Sequence, residues 1–225
     1  MSNRSIHTLL KNWDEECPLT REEAVEVLNL PEEEMDSLME CAYALRTKYK
    51  GKKVSVQLLT NVRSGNCTQN CAYCAQSKDS QAEIEKYKRV SDEKLYGDND
   101  LVDEKHLARH CIGLSGIGFS DEEIEDLADR IREMKKKDTQ ICCSIGFLTE
   151  KQARILKDAG LDRINHNLNS SRSFYPEICT THTYDQRVNN IKMLQSLGFE
   201  ICSGGIVGMG ESKEDIVDML MDLRE

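Results

Sequence analysis

The sequence predicts an α/β fold built on a parallel sheet, and three observations lead there. From Val54 onward, short apolar strands alternate with amphipathic helices in a unit of roughly 34 residues, in line with the ~30 or more that a strand-helix-strand step requires. Gly160 and Gly198 stand where helix C-caps belong, each followed by an apolar residue and then the next strand. Of the 225 residues, 39% are hydrophobic, 5% aromatic and 31% charged, the make-up of a globular domain with a heavily charged surface. Strands joined through helices pair in parallel with right-handed crossovers, so the sheet is either doubly wound or closed as a barrel.

Residues 1–50 read as a helical extension ahead of the strand-helix domain, which takes residues 51–225. Thr20 is a capping residue with Glu23 three positions on, ahead of an apolar stripe. A second helix follows Pro31, with Met35, Leu38, Met39 and Ala42 on one face. Cys17 and Cys41 lie in this lead-in, far from any ligand spacing, and read as small buried residues. The expected strands are Val54 to Thr60, His110 to Ser115, Gln140 to Ile145, Arg163 to Asn169 and Glu200 to Val207. The expected helices are Asp121 to Lys136, Thr149 to Asp158, Tyr184 to Leu197 and Lys213 to Leu223. Between Ser77 and Lys105 the pattern is least regular, and Gly97-Asp-Asn-Asp100 reads as a turn cluster in a long, polar, partly helical connection.

Charge and hydropathy narrow the function. A formal net charge of -10 argues against a nucleic-acid groove, because phosphate contacts need clustered Lys and Arg. No apolar run approaches the length of a membrane span, and the first residues lack a signal-peptide core, so a cytoplasmic protein is expected. Ten cysteines without such a signal suit a reducing compartment, where clustered thiols bind metal or do chemistry.

The stretch Ser64-Gly-Asn-Cys-Thr-Gln-Asn-Cys-Ala-Tyr-Cys-Ala-Gln-Ser77 follows the first strand and sets Cys67, Cys71 and Cys74 at offsets of four and three. Four cysteines would close a 4Fe-4S cluster or a tetrahedral zinc site, whereas three leave one coordination position for something that is not protein. A zinc knuckle would usually supply its fourth ligand nearby, but His106, His110 and Cys111 are more than thirty residues downstream. This CxxxCxxC spacing, with Tyr73 before the last cysteine, resembles the signature of the radical S-adenosylmethionine enzymes.

Strand parity adds a second group of candidates. Asn165, Asn167 and Asn169 are two apart and share a face of the fourth strand. Three amides on one face of a buried strand are costly unless hydrogen-bonded, and Asn is a poor strand former, so this face reads as a polar ligand surface. Cys111, Cys142 or Cys143, and Cys202 lie in three other strands. Adjacent residues point oppositely, so only one of Cys142 and Cys143 faces inward. Each alone reads as a buried apolar cysteine; together, lining one barrel, three could hold a second cluster.

The stretches Asn165-His-Asn-Leu-Asn-Ser-Ser-Arg-Ser-Phe-Tyr175, Thr180-Thr-His-Thr-Tyr-Asp-Gln-Arg187 and Cys202-Ser-Gly-Gly-Ile-Val-Gly-Met-Gly-Glu211 resemble the biotin synthase family, from about Leu28 onward. The resemblance implies a (βα)8 TIM-barrel-type enzyme that uses S-adenosylmethionine to insert sulfur into dethiobiotin. It implies a 4Fe-4S cluster on Cys67, Cys71 and Cys74 and a 2Fe-2S cluster on Cys111, Cys142 and Cys202, choosing Cys142 over Cys143. It further implies dethiobiotin contacts from Asn165 and Asn167, and S-adenosylmethionine contacts from Tyr73, Asn167, Asn169, Arg187, Gly205 and Gly208. Flavodoxin or ferredoxin as electron donor and a homodimer of the full-length form follow from the same resemblance. Its nearest rival is the hydrogenase maturase type, which lacks the inner cysteine set; an inactive fragment is the other.

Two departures accompany the likeness. Asn169 stands where many members carry an aspartate that binds ribose. Five strand-helix units are present where a closed barrel has eight, so an incomplete barrel is expected, without the late-strand Arg that completes the family's 2Fe-2S ligands.

Overall fold

Each strand presents an aliphatic side and a polar side, and the helices cover the aliphatic one. In the computed structural model, which describes residues 19–225, β1 (Gln57–Arg63), β2 (Arg109–Leu114), β3 (Ile141–Ser144), β4 (Arg163–Asn165) and β5 (Glu200–Cys202) pair in parallel in sequence order. A doubly wound sheet would reverse its strand order at a switch point. This one does not, and it is an arc of an α/β barrel in which β1 and β5 form the edges.

The helices, in chain order, are α1 (Arg21–Leu28), α2 (Met35–Lys50), α3 (Asp92–Glu104), α4 (Asp121–Met134), α5 (Glu150–Asp158), α6 (Tyr175–Ile178), α7 (Tyr184–Ser196) and α8 (Lys213–Arg224). Capping boxes start α1, α4, α5, α7 and α8, from Thr20, Ser120, Thr149, Thr183 and Ser212. Each side-chain oxygen satisfies an orphan N–H and contributes about 0.5–2 kcal/mol.

The chain divides into two units, Ser55–Gly210 and the residues up to Val54 together with Glu211–Glu225. The larger holds the sheet and its core: Ile112, Ile141, Cys143 and Ile164 from the strands meet Ile124, Leu127 and Ile131 of α4 and Leu156 of α5, all at most 2% exposed. Burying each aliphatic side chain contributes roughly 1.5–3 kcal/mol, so this helix-covered side anchors the strands and frees the opposite face for polar residues. In the smaller unit α1 and α8 are tied by the Arg21–Asp218 ion pair at 2.5 Å and by Lys213 Nζ donating to Asn29 Oδ1 at 2.8 Å. Among the described residues no helix is long and apolar enough to cross a membrane.

Several boundaries differ from those expected. β1 starts three residues later and runs on to Arg63, because Val62 (3% exposed) packs in the core while Val54 and Val56 are 80% and 57% exposed. Gly97-Asp-Asn-Asp100 is not a turn but the middle of α3. Ser91 caps that helix, Leu95 and Val102 bury one side of it, and Asp98 accepts from Thr60 Oγ1 at 2.7 Å and Lys94 Nζ at 2.6 Å. Tertiary packing here overrides turn propensity. β4 and β5 are short, and the ladder resumes only at a bridge between Asn169 and Gly205. In α2, Met35, Met39 and Tyr43 remain exposed and Cys41 is half-buried rather than buried. Cys17 lies outside the described residues.

Candidate functional site

Parallel strands bring equivalent residues into rows. Across the inner face one row runs Asn61, Gly113, Ser144, Asn165 and Cys202. One pleat step toward the strand N-termini the next runs Leu59, Cys111, Cys142, Arg163 and Glu200. A cavity of about 290 Å3 opens at the C-terminal ends of β1–β4, where barrel enzymes of this architecture keep their active sites. Cys67, Cys71, Cys74, Tyr73, Asn165, Asn167, Asn169 and Arg187 all line it, so residues from three separate sequence stretches meet in one space.

The cysteine loop is fastened at both ends. Ser64 and Tyr87 exchange backbone hydrogen bonds at 3.0 Å, and the Gln76 amide oxygen accepts from Gly65 N–H. Gly65 has φ +74°, and a Cβ there would fall 2.6 Å from Lys86 Cγ, so only glycine suits the turn. At the far end Asn70 Oδ1 accepts from the backbone N–H groups of Thr180 and Thr181 at 3.1 and 3.3 Å, and Asn70 Nδ2 donates to Thr180 Oγ1 at 2.7 Å. The loop is thereby registered against the segment before α7. Burial, then the neighbouring Cys179, pushes the Cys71 thiol up to about 11, and burial followed by Cys71 raises the Tyr73 phenol.

Arg187, in the first turn of α7, spans the opposite wall. Its Nε donates to Tyr175 Oη at 2.5 Å, Nη1 to the Asn167 carbonyl at 3.1 Å and Nη2 to His182 Nε2 at 3.0 Å. Its guanidinium carbon also stands 6.0 Å from the Phe147 ring centroid. Burial and then this guanidinium depress both His166 and His182 to about 4, so both rings are neutral near pH 7. The Asn165 amide nitrogen donates to Asn167 Oδ1 at 3.2 Å and to the Cys202 carbonyl at 3.1 Å. Asn169 is buried with φ +70°, a left-handed conformation that Asn tolerates better than most residues. It lies four residues past the end of β4, so Asn169 reaches the cavity through a backbone bend, not by strand alternation. Gly205 pairs with it across the bridge, and Gly208 has φ +98°.

The second cysteine group lies below this cavity. Cys111 and Cys142 are direct ladder partners, and Cys202 pairs with Asn165. Burial pushes Cys142 up to about 12, with further contributions from Cys111 and then Cys202, a mark of three thiols close together. Cys143 points the other way, fully buried in the aliphatic core. Arg109 and Arg163 flank the group, and both pair with Glu200, Arg109 at 3.4 Å. Their positive charges favour the thiolate forms of Cys111 and Cys142, a secondary influence beside burial. Two sets of three thiols, one at the cavity mouth and one beneath, suit soft iron centres better than hard cations.

Several residues of the site were not anticipated from sequence. Cys179, Gln69, Tyr175 and His182 form one hydrogen-bonded group with Arg187, and Arg109 with Arg163 forms the charged rim of the inner cysteines. Cys179 precedes the Thr180-Thr-His-Thr stretch by one residue and lacked any ligand spacing to mark it. Arg163 was legible by parity, two residues before Asn165 on the same face.

The radical SAM superfamily pattern matches residues 61–223. Among curated proteins the chain is similar to the biotin synthases of Geobacillus kaustophilus, at 41% identity over 92% of this chain and 62% of that protein, and of Rhodopirellula baltica, at 41% over 92% and 58%. The Bacillus subtilis biotin synthase is 40% identical over 92% of the chain and 62% of its own length. The chain thus spans about three-fifths of the relatives it matches. Among solved structures it is similar to methylornithine synthase, with a TM-score of 0.83 at 16% identity, covering 96% of this chain and 62% of the other. It also resembles the FeFe-hydrogenase maturase HydG of Carboxydothermus hydrogenoformans, with a TM-score of 0.81 at 20% identity over 96% and 52%. At these identities the structural likenesses speak to the fold alone.

Proposed function

The chain belongs to the radical SAM superfamily, and we propose that it carries out the chemistry of a biotin synthase, inserting sulfur into dethiobiotin. The observation that carries this reading is one cavity lined by Cys67, Cys71 and Cys74 together with Asn165, Asn167, Asn169 and Arg187, with Cys111 and Cys142 paired on neighbouring strands and Cys202 paired with Asn165. Cys67, Cys71 and Cys74 are the residues that would hold a 4Fe-4S cluster, leaving one iron position open, and Cys111, Cys142 and Cys202 those that would hold a 2Fe-2S cluster. When bound, the first supplies the electron that cleaves S-adenosylmethionine and the second supplies the sulfur. A hydrogenase maturase of the same architecture would have no use for the inner set.

The chain's own residues then position and shield. Among the described residues Arg187 spends three of its five N–H donors on Tyr175, Asn167 and His182, which fixes the plane of its guanidinium and leaves two for the carboxylate of S-adenosylmethionine. The Asn167 and Asn169 amides suit ribose hydroxyls, Tyr73 closes the cofactor side, and Gly205 and Gly208 let backbone approach the adenine. Asn165, beside Cys202, holds dethiobiotin over the inner thiols. Neutral His166 and His182 keep protons and water away from a site whose reacting species attacks whatever lies within reach. A flavodoxin or ferredoxin serves as electron donor.

The test is label transfer. Dethiobiotin deuterated on its methyl group is supplied with S-adenosylmethionine and reductant to anaerobically reconstituted protein. Deuterium should appear in 5'-deoxyadenosine; deoxyadenosine that stays unlabelled and forms at the same rate without dethiobiotin would contradict the assignment.

A further inference from the structure

Cys71 does not stand alone in the cysteine loop. Its Sγ lies 3.7 Å from Cys179 Sγ, and Cys179 Sγ lies 3.3 Å from His182 Nδ1. One donor atom from each of the three residues falls within 4.8 Å of the others, and all three residues are buried. Two thiolates bound to one tetrahedral zinc at ~2.3 Å are themselves ~3.8 Å apart, and a thiolate and an imidazole nitrogen ~3.6 Å apart. The observed separations are therefore already close to the edges of such a tetrahedron, before any ion is bound.

The surroundings also suit a metal. Cys179 and His182 are presented by the segment that Asn70 clamps to the cysteine loop, and Ala72 N–H donates to the Ile178 carbonyl at 2.9 Å. On the far side of the imidazole, Nε2 is 2.9 Å from Tyr175 Oη, an oxygen able to accept the ring proton and so fix the orientation of a metal-bound histidine.

We propose that Cys71, Cys179 and His182 form a mononuclear site for a soft divalent cation, zinc being the natural occupant, in the chain free of iron. Capture at Nδ1 moves the ring proton to Nε2, toward Tyr175 Oη, so the Arg187 Nη2–H that now donates to Nε2 must turn away, and the Gln69 amide oxygen that now lies 2.9 Å from Nδ1 is freed. The Cys71 and Cys179 thiols each give up a proton to solvent, and water takes the fourth position. Zinc held this way takes Cys71 out of the cluster loop, so zinc loading and cluster assembly exclude each other. The site stands on geometry; only this exclusion rests on the function proposed above.

The experiment titrates zinc anaerobically into the iron-free 225-residue chain against a chromogenic chelator and repeats it with cobalt. Wild-type protein should bind one equivalent of zinc that Cys179→Ser and His182→Ala each weaken by more than about 100-fold, beyond the 10–100-fold of an outer-shell loss. Cys67→Ser and Cys74→Ser should leave that equivalent in place, and its cobalt complex should show thiolate charge-transfer bands. Should Cys179→Ser fail to fold, the Cys67→Ser and Cys74→Ser titrations and the wild-type cobalt spectrum still decide. The proposal is overturned if Cys67→Ser or Cys74→Ser removes the equivalent, which would assign the ion to the loop cysteines, or if Cys179→Ser binds as wild type does. Zinc preloading should slow iron-sulfide reconstitution of wild type and not of Cys179→Ser. Failure of that arm alone would leave the zinc site standing and bear instead on the cluster reading.

Discussion

Lowering the pH from about 7 to about 5 should destabilise this protein through its buried, depressed histidines, and the share of one of them, His166, can be isolated. The ring is 3% exposed and packs against Phe147 at 5.3 Å between centroids. Burial, and then the Arg187 charge, holds it at about 4 against an ordinary value of 6.5. A depressed histidine binds fewer protons folded than unfolded, so its contribution is complete above about pH 6.5 and is lost as the pH falls toward 4. A shift of this size corresponds to about 3 kcal/mol in full, of which about 2 kcal/mol falls between pH 7 and pH 5. With a urea slope near 2 kcal/mol/M, that moves the unfolding midpoint by about 1 M. Urea melts followed by circular dichroism at both pH values, on wild type and His166→Phe, isolate the effect. The variant should lose about 2 kcal/mol less than wild type over this interval. Equal losses would refute the claim that the buried ring resists protonation.

Cys143→Ala should cost about 1–2 kcal/mol in denaturant melts and leave iron binding at the inner set unchanged, whereas Cys142→Ala should abolish that iron signal; the reverse pattern would overturn the orientation of β3. Gly146→Ala puts a Cβ 2.4 Å from the Ile117 carbonyl oxygen and should destabilise the protein by about 1–3 kcal/mol. Gly97→Ala, inside α3 with open space around it, should instead stabilise by about 0.5–1 kcal/mol, and a loss there would mean that the segment is not helical. Arg187→Lys keeps the charge but not the three-way fork, and should weaken S-adenosylmethionine binding by about 10–100-fold in equilibrium dialysis of the reconstituted protein.

The order of elements was legible because periodicity and caps are local signals: Thr20 with Glu23 starts α1, and Gly160 and Gly198, at φ +96° and +77°, close helices where the sequence places them. Strand parity likewise put Cys142 and Cys143 on opposite faces, since alternation is a property of any extended chain, and the family resemblance supplied which of them turns inward. What escaped was set by distant partners. Gly97-Asp-Asn-Asp100 looks like a turn until Asp98 finds Thr60, and Asn99 finds His110 and the Met134 carbonyl. β1 slid by three residues because helix cover, not local hydrophobicity, decides which valine is buried. Cys179 and His182 join the cysteine loop across more than a hundred residues, through contacts to Gln69, Asn70 and Cys71 that no spacing rule encodes.

The central claim is that Cys67, Cys71 and Cys74 hold a cluster with one iron left open to S-adenosylmethionine. The direct measurement is electron paramagnetic resonance of the anaerobically reconstituted, dithionite-reduced protein, recorded with and without S-adenosylmethionine, in wild type and Cys74→Ala. A reduced 4Fe-4S signal that changes when S-adenosylmethionine is added, and that is missing from Cys74→Ala, is the predicted result. A signal that ignores S-adenosylmethionine, or that survives in Cys74→Ala, would contradict it.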